Sequence, residues 1–237
     1  MTDIEMINEL KKYDTPSITN VLATYPADKK LCMGLYNPWT TNWYTDQSLK
    51  CIYPGLGRRV GYAVTAVYSL PDPSFSRLGF GDVLKAIERT PKPVITVIKQ
   101  DFPEEIKRKN GLSGGNMTTA MKALGCVGCI SDGPSRDIDE IREMDFQYML
   151  TGVCAGHGSM SVAAVNIPVS VCGMDIAPGD IIHMDENGAV RFPAYLLPDV
   201  LELAEKLQEH EAGRMAAVAK CKTAEEIINI LSGGAYK

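Results

Sequence analysis

The chain has 237 residues, 45% of them hydrophobic and 22% charged, with a formal net charge of −5. That length allows a sizeable core in one large domain or two small ones. The charge lacks any long basic or acidic run, which argues against a nucleic-acid or membrane-surface partner. Met1 to Lys12 is charged rather than signal-like, and no apolar stretch approaches the roughly 20 residues that span a bilayer, so a cytoplasmic location is expected.

Taken in order, residues 3–13 place Ile4, Ile7 and Leu10 at helical spacing. Thr15-Pro16 then reads as a cap followed by proline, opening a second short helix over 16–24. Residues 26–56, rich in Pro, Gly, Asn and Trp, read as a long loop with one short strand. Residues 59–69 (RVGYAVTAVYS) read as a strand, 81–88 as a short helix, and 94–99 (VITVIK) as a buried strand. A helix over 116–124 ends at Gly125. Then come a strand over 126–131, a helix over 137–144, a strand over 148–154 and β-type alternation over 160–172. Glu186-Asn187-Gly188 lies between apolar runs 181–185 and 189–192, a hairpin signal. Residues 198–231 are amphipathic and helical, interrupted near Cys221, with Thr223 and Glu226 as a capping box. The mixture predicts an α/β or α+β layered fold with terminal helices over 1–25 and 198–237.

Seven cysteines (32, 51, 126, 129, 154, 172 and 221) are an odd number, which favours free thiols over a disulfide framework. Cys126 and Cys129 have C-x-x-C spacing. They sit inside an apolar run with no second pair at zinc-ribbon distance, so they read as small buried hydrophobes. Met144, Met149, Met160 and Met174 read as core fillers, and Asp180 and Asp185 as turn-ordering residues.

Two segments carry chemistry. Gly111-Leu-Ser-Gly114-Gly115-Asn116-Met117 leads into a helix and offers backbone N–H groups at its positive end, a place for a carboxylate or phosphate. No Lys-Ser/Thr follows, so it is not a P-loop. An ordinary glycine turn is its plain structural reading. Ser131-Asp132-Gly133-Pro134-Ser135-Arg136-Asp137 directly follows a strand. Here Asp137 with Glu140 fits a helix capping box, and Arg136 fits a surface ion pair. At a strand's C-terminal end, however, Arg136 is a fork for a carboxylate and Asp137 a hard oxygen ligand for Mg²⁺ or Mn²⁺.

The run from Gly114 to Asp137 resembles the RraA-like family, whose signature is Gly or an acidic residue, twenty residues, then Arg-Asp. Gly115 and Arg136-Asp137 have that spacing. Arg59-Val-Gly61-Tyr-Ala63-Val-Thr65, Pro168-Val169, Pro178-Gly-Asp180, Asp185 and Gly188 also match, and the likeness runs over about residues 55–230. The resemblance implies a single domain over 1–237 built as a three-layer β/β/α sandwich like swivelling phosphohistidine domains. It implies a homotrimer or homohexamer with sites between subunits.

It also implies roles. Asp137 would hold a divalent cation, Arg136 would bind substrate oxygen, and Gly114, Gly115, Asn116 and Met117 would bind a pyruvate carboxylate. Glu211 would be an acidic group supplied by a neighbouring subunit. The family includes class II 4-hydroxy-4-methyl-2-oxoglutarate aldolases that also decarboxylate oxaloacetate. A divalent-metal-dependent lyase acting on a small 2-oxo acid through a metal-stabilised enolate is therefore expected. Many such aldolases carry Asp or Glu at the place of Gly115, and here the chain departs from them. His157, in a Gly-rich segment, is a candidate base beside its plain structural role. The alternative function is a non-catalytic RraA-type protein that binds and inhibits a ribonuclease. A demethylmenaquinone methyltransferase is discounted because no G-x-G-x-x-G follows a strand.

Overall fold

A computed structural model describes residues 1–26, 30–74 and 78–232. Positions 27–29 of the expected loop over 26–56, and the last five of the expected helices over 198–237, lie outside the described residues. The first elements are α1 (Asp3–Leu10), α2 (Thr15–Leu22), β1 (Lys50–Cys51), β2 (Arg59–Ser69), α3 (Phe80–Arg89) and β3 (Val94–Asp101). Next are α4 (Glu104–Lys107), α5 (Gly115–Ala123), β4 (Cys126–Ser131), α6 (Ile138–Glu143) and β5 (Gln147–Leu150). The chain continues through β6 (Ser161–Val165), β7 (Val169–Val171), β8 (Met174–Ile176), β9 (Ile181–Asp185), β10 (Gly188–Phe192), α7 (Leu197–Val218) and α8 (Ala224–Ser232).

These elements form two compact units, one from Met1–Asn42 with Tyr195–Lys237 and one from Trp43–Ala194. In the first, α7 packs against α1, α2 and α8. Its buried Leu197, Val200, Ala204 and Leu207 recur every three or four residues, as one helix face requires. Asp14, one residue before the expected Thr15, caps α2: its Oδ1 accepts from the Ser17 amide at 2.8 Å, while Thr15 is buried. Thr223 and Glu226 form the expected box ahead of α8.

The second unit carries an eight-stranded sheet in the order β1-β5-β4-β3-β2-β9-β10, with β6 on the far half of β2. Strands β2 to β5 are parallel, and β1, β6, β9 and β10 join antiparallel. Both faces of the central strands are covered, which explains why β2 and β3 read as near-continuous apolar runs. One face packs Val64, Ala66, Val94, Ile98 and Cys129 against Val83 and Ile87 of α3, Met121 of α5 and Ile141 of α6. The other packs Ala63, Ile95, Val97, Ile130 and Met149 against Val169, Val171, Met174 and Ile176 of the β7–β8 hairpin. The layers are thus helix, sheet and small sheet, the α/β sandwich expected from the sequence.

The strand expected over 148–154 ends at Leu150. Beyond it the chain pairs with the loop after β4 through an isolated Ser135–Val153 bridge. Cys126 and Cys129 are buried and unpaired with each other, and burial raises both thiol pKa values. Neutral buried thiols do not attack electrophiles. Iodoacetamide is therefore expected to label Cys126 and Cys129 only after denaturation, as mass spectrometry of native and unfolded protein would show.

Candidate active site

The chain's glycine turn and its Arg-Asp pair meet at the C-terminal edge of the parallel strands, where open sheets place their ligands. The turn follows β3 and α4, and the pair follows β4. Backbone bonds join them: Leu112 N donates to Pro134 O at 3.2 Å, and Arg136 N donates to Ser113 O at 3.1 Å.

A buried polar layer holds both loops from below. Gln100, at the end of β3 and fully buried, donates through Nε2 to Ser131 Oγ at 3.1 Å and Pro134 O at 3.0 Å, and its backbone N donates to Asp132 Oδ1 at 2.7 Å. Asp132 Oδ2 pairs with Lys99 at 2.7 Å and Lys107 at 3.3 Å. Tyr148 on β5 reaches Thr118 Oγ1 at 2.7 Å and donates to Ser113 Oγ at 3.1 Å. Burial pushes the Tyr148 hydroxyl's pKa well up, so it acts as a neutral hydrogen-bonding strut. Removing one partner of a buried charged group leaves the others unsatisfied. Asp132→Asn is therefore expected to destabilise the protein by about 1–3 kcal/mol in urea denaturation.

Asp137 does not cap its helix as the sequence predicted. It occupies the N-cap position of α6 at φ 59°, ψ 38°, with no side-chain capping bond. This left-handed conformation, which costs about 1–2 kcal/mol for most L-residues and less for Asp, lets its carboxylate reach the other loop. Asp137 Oδ2 accepts from Gly115 N at 2.9 Å. One N–H at the start of α5 is therefore already engaged; Asn116 and Met117 supply the remaining first-turn N–H groups, which have no acceptor within a helix. Arg136 Nε stands 3.7 Å from Asp137 Oδ2 and is buried without a hydrogen-bond partner among the described residues.

Gly114 is extended, so it is glycine for space rather than for φ: a Cβ there would fall on Asp137 Oδ2 and lie 3.0 Å from Arg136 Nε. At Gly115 a Cβ would run into the Glu140 carboxylate, 2.6 Å from Cδ.

These groups line a cleft of about 280 Å³, formed by Leu112, Gly114–Met117, Arg136, Asp137, Glu140, His157 and Met160. All the expected residues of the two loops therefore share one cavity, and His157 joins them. Glu211 lies on α7, in the other unit. Among the described residues no group of three or more His, Cys, Asp or Glu is placed to hold a metal ion. Sequence reading overlooked Gln100 and Tyr148, and gave Glu140 only a capping role. The polar Lys99-Gln100 ending an apolar strand was the one available signal for Gln100. The other two acquire their positions only when strands and helices pack.

The RraA-like (Aldolase/RraA) family profile matches residues 35–191, more than half the chain, and the protein belongs to that family. An uncharacterized protein of Methanocaldococcus jannaschii is 26% identical over 72% of this chain and 77% of its own. A provisionally named 4-hydroxy-4-methyl-2-oxoglutarate aldolase of Halalkalibacterium halodurans is 30% identical, over 58% of this chain and 64% of its own. The chain thus spans less than two thirds of that relative's length. Among solved structures, an uncharacterized Pseudomonas syringae pv. tomato protein superposes with a TM-score of 0.71 at 23% identity, covering 94% of this chain and 92% of its own. Streptomyces coelicolor RraAS2, described as an unusual member of the RNase ES inhibitor RraA family, gives 0.67 at 21% identity, covering 89% of this chain and 96% of its own. At those identities the structures speak for the fold. The family spans both proteins named as aldolases and proteins described as ribonuclease inhibitors. No helix among the described residues is long and apolar enough to cross a membrane.

Proposed function

We propose that the protein is a divalent-metal-dependent lyase that cleaves a C–C bond of a small 2-oxo acid, by aldol cleavage of a 4-hydroxy-2-oxo acid, decarboxylation of oxaloacetate, or both. The observation that carries this reading is the buried Arg136 Nε, which has no hydrogen-bond partner among the described residues and stands beside a carboxylate held in a left-handed turn over a helix N-terminus. A guanidinium N–H left unpaired is expensive unless a ligand completes it, and strained non-glycine backbone of this kind collects at functional sites.

In this reading the first-turn N–H groups of Asn116 and Met117 bind the substrate carboxylate, and Arg136 donates to its 2-oxo oxygen. The 2-oxo oxygen facing Arg136 gains negative charge as the bond breaks and electrons move into a pyruvate enolate, while the carboxylate, already charged, is held in place. Asp137 faces the same oxygens with the carboxylate oxygen that Gly115 does not occupy. The donors fit Mg²⁺ or Mn²⁺, which are held by one or two carboxylates and otherwise by water; they do not form a closed cage. When bound, such a cation supplies Lewis-acid stabilisation of the enolate charge. Glu211 of a neighbouring subunit in a homotrimer or homohexamer, or water, would move the proton, and His157 lines the same cleft.

The test is pyruvate release across a panel of 2-oxo acids, with and without Mg²⁺. Metal-dependent release of pyruvate is the expected result. Full activity in EDTA, or a borohydride-trapped lysine adduct, would overturn the mechanism. The competing reading, a ribonuclease-binding protein, predicts no turnover and partner binding that survives Asp137→Ala.

A further inference from the structure

A third loop meets the other two at the cleft. It runs from Gly152 to Met160 between β5 and β6, carries no helix or strand and is largely exposed. It is nevertheless tied to both of its neighbours. Ser135 N donates to Gly152 O at 3.3 Å, and Cys154 N donates to Ser135 O at 3.0 Å. Gly111 N donates to Gly156 O at 2.8 Å. A Cβ at position 111 would lie 3.0 Å from Cys154 O and 3.1 Å from Gly156 O, so glycine there lets the two loops close on one another. Gly158 N donates to Oδ1 of the buried Asn110 at 3.4 Å, and Asn110 Nδ2 donates to Gln100 Oε1 at 3.4 Å. What this anchored loop brings to the cleft is His157 and Met160.

The His157 ring is held in one tautomer. Its Nδ1 lies 3.0 Å from Gly158 O. A carbonyl oxygen only accepts, so the neutral ring carries its proton on Nδ1 and keeps a lone pair on Nε2. No described residue bonds to that Nε2. In the proposed complex the substrate carboxylate sits on the N–H groups of Asn116 and Met117, and the 2-oxo oxygen sits at Arg136. Glu140 stands over Gly115. The lining left for the far end of the substrate is Leu112, Met160 and His157. That far end is C4 with its substituents, and His157 is the one member of this wall that can accept a proton.

We propose that His157 is the catalytic base that takes the C4 hydroxyl proton, which makes a 4-hydroxy-2-oxo acid the substrate class of this site. The hydroxyl proton passes to Nε2, and the O–H electron pair forms the new carbonyl at C4. The C3–C4 bond breaks and its electrons enter the pyruvate enolate. Water or Glu211 then protonates C3 to complete pyruvate, and His157 returns its proton to solvent. Oxaloacetate needs no such base, because the electrons of its C3–C4 bond enter the same enolate as carbon dioxide leaves. This inference rests on the oxo-acid reading above.

The test compares two substrates on one protein. Pyruvate release from 4-hydroxy-4-methyl-2-oxoglutarate and from oxaloacetate is measured with Mg²⁺ on the full-length wild type and on His157→Asn. Asparagine keeps an N–H donor where Nδ1 stands, so the bond to Gly158 O survives, but it has no base at the place of Nε2. A purely structural role would therefore leave the ratio of the two activities unmoved. The ratio of kcat/KM for aldol cleavage to that for decarboxylation is expected to fall by about 10²-fold or more, the usual contribution of a positioned base. The side chain is exposed, so the melting temperature should match that of the wild type. An unchanged ratio overturns this inference and leaves the lyase reading standing, as does a wild type that decarboxylates oxaloacetate without cleaving the hydroxy acid. A wild type that releases pyruvate from neither substrate overturns both.

Discussion

Arg136→Ala is expected to lower kcat for pyruvate release by about 10²- to 10³-fold, the usual loss when one donor to a developing oxyanion is removed. The side chain lines the cleft with a buried Nε that no described residue satisfies. In the substrate complex that donor gains its acceptor, and it gains most where the oxygen carries most charge. KM should therefore change less than kcat. Arg136→Lys is expected to recover little, because a lysine presents a point charge in place of the planar fork and cannot place a donor at the position of Nε. Stability should hold or rise slightly, since the variant removes an unsatisfied buried group rather than a bond. Steady-state kinetics with a denaturation curve for each variant separates the two effects. An Arg136→Ala protein with unchanged kcat would remove the oxo-acid reading.

Gly114→Ala carries the second large expected effect. A single methyl group there meets Asp137 Oδ2 and lies 3.0 Å from Arg136 Nε and 3.3 Å from its Cγ. Both side chains must shift, and the Gly115 N–H to Asp137 bond of 2.9 Å cannot survive in place. Overpacking of this size costs about 1–3 kcal/mol of stability. The functional loss should be larger, near 10²-fold in kcat/KM, because misplacing positioned groups by about 1 Å is enough for that. The informative comparison is with Asp132→Asn: it loosens the same loop from beneath without touching the cleft and should cost stability first and activity less.

The two readings of the family diverge on these variants. A ribonuclease-binding surface has no use for a buried guanidinium N–H facing a cleft of about 280 Å³, so neither variant should alter partner binding. A lyase needs both groups in place. Measuring turnover and binding on the same two proteins therefore distinguishes the functions directly.

Much of the architecture was legible in the order of residues. The apolar runs over 59–69, 94–99 and 126–131 and the hairpin around Asn187 appear as strands because β-type burial repeats locally and turn residues bound it. The Arg136-Asp137 pair and the glycine turn were legible for a similar reason: their residue types and spacing are local properties. Boundaries were less so. Asp14 rather than Thr15 caps α2, and β5 stops at Leu150, because capping bonds and strand ends depend on what the backbone meets in space.

What the sequence by itself determined was most of the elements, though not α4 or β8, together with the layered α/β class and the two loops worth watching. Only the tertiary structure decided what those loops do to one another. Asp137 reads as the cap of its own helix in sequence, yet in the fold its carboxylate accepts from Gly115, 22 residues away. Glu140 reads as its capping partner and instead fills the space over that same glycine. The physical reason is that a carboxylate takes the best donor within reach. In a parallel sheet the donors within reach at a strand's end belong to the neighbouring strand's loop, a relation that hydrophobic periodicity does not encode.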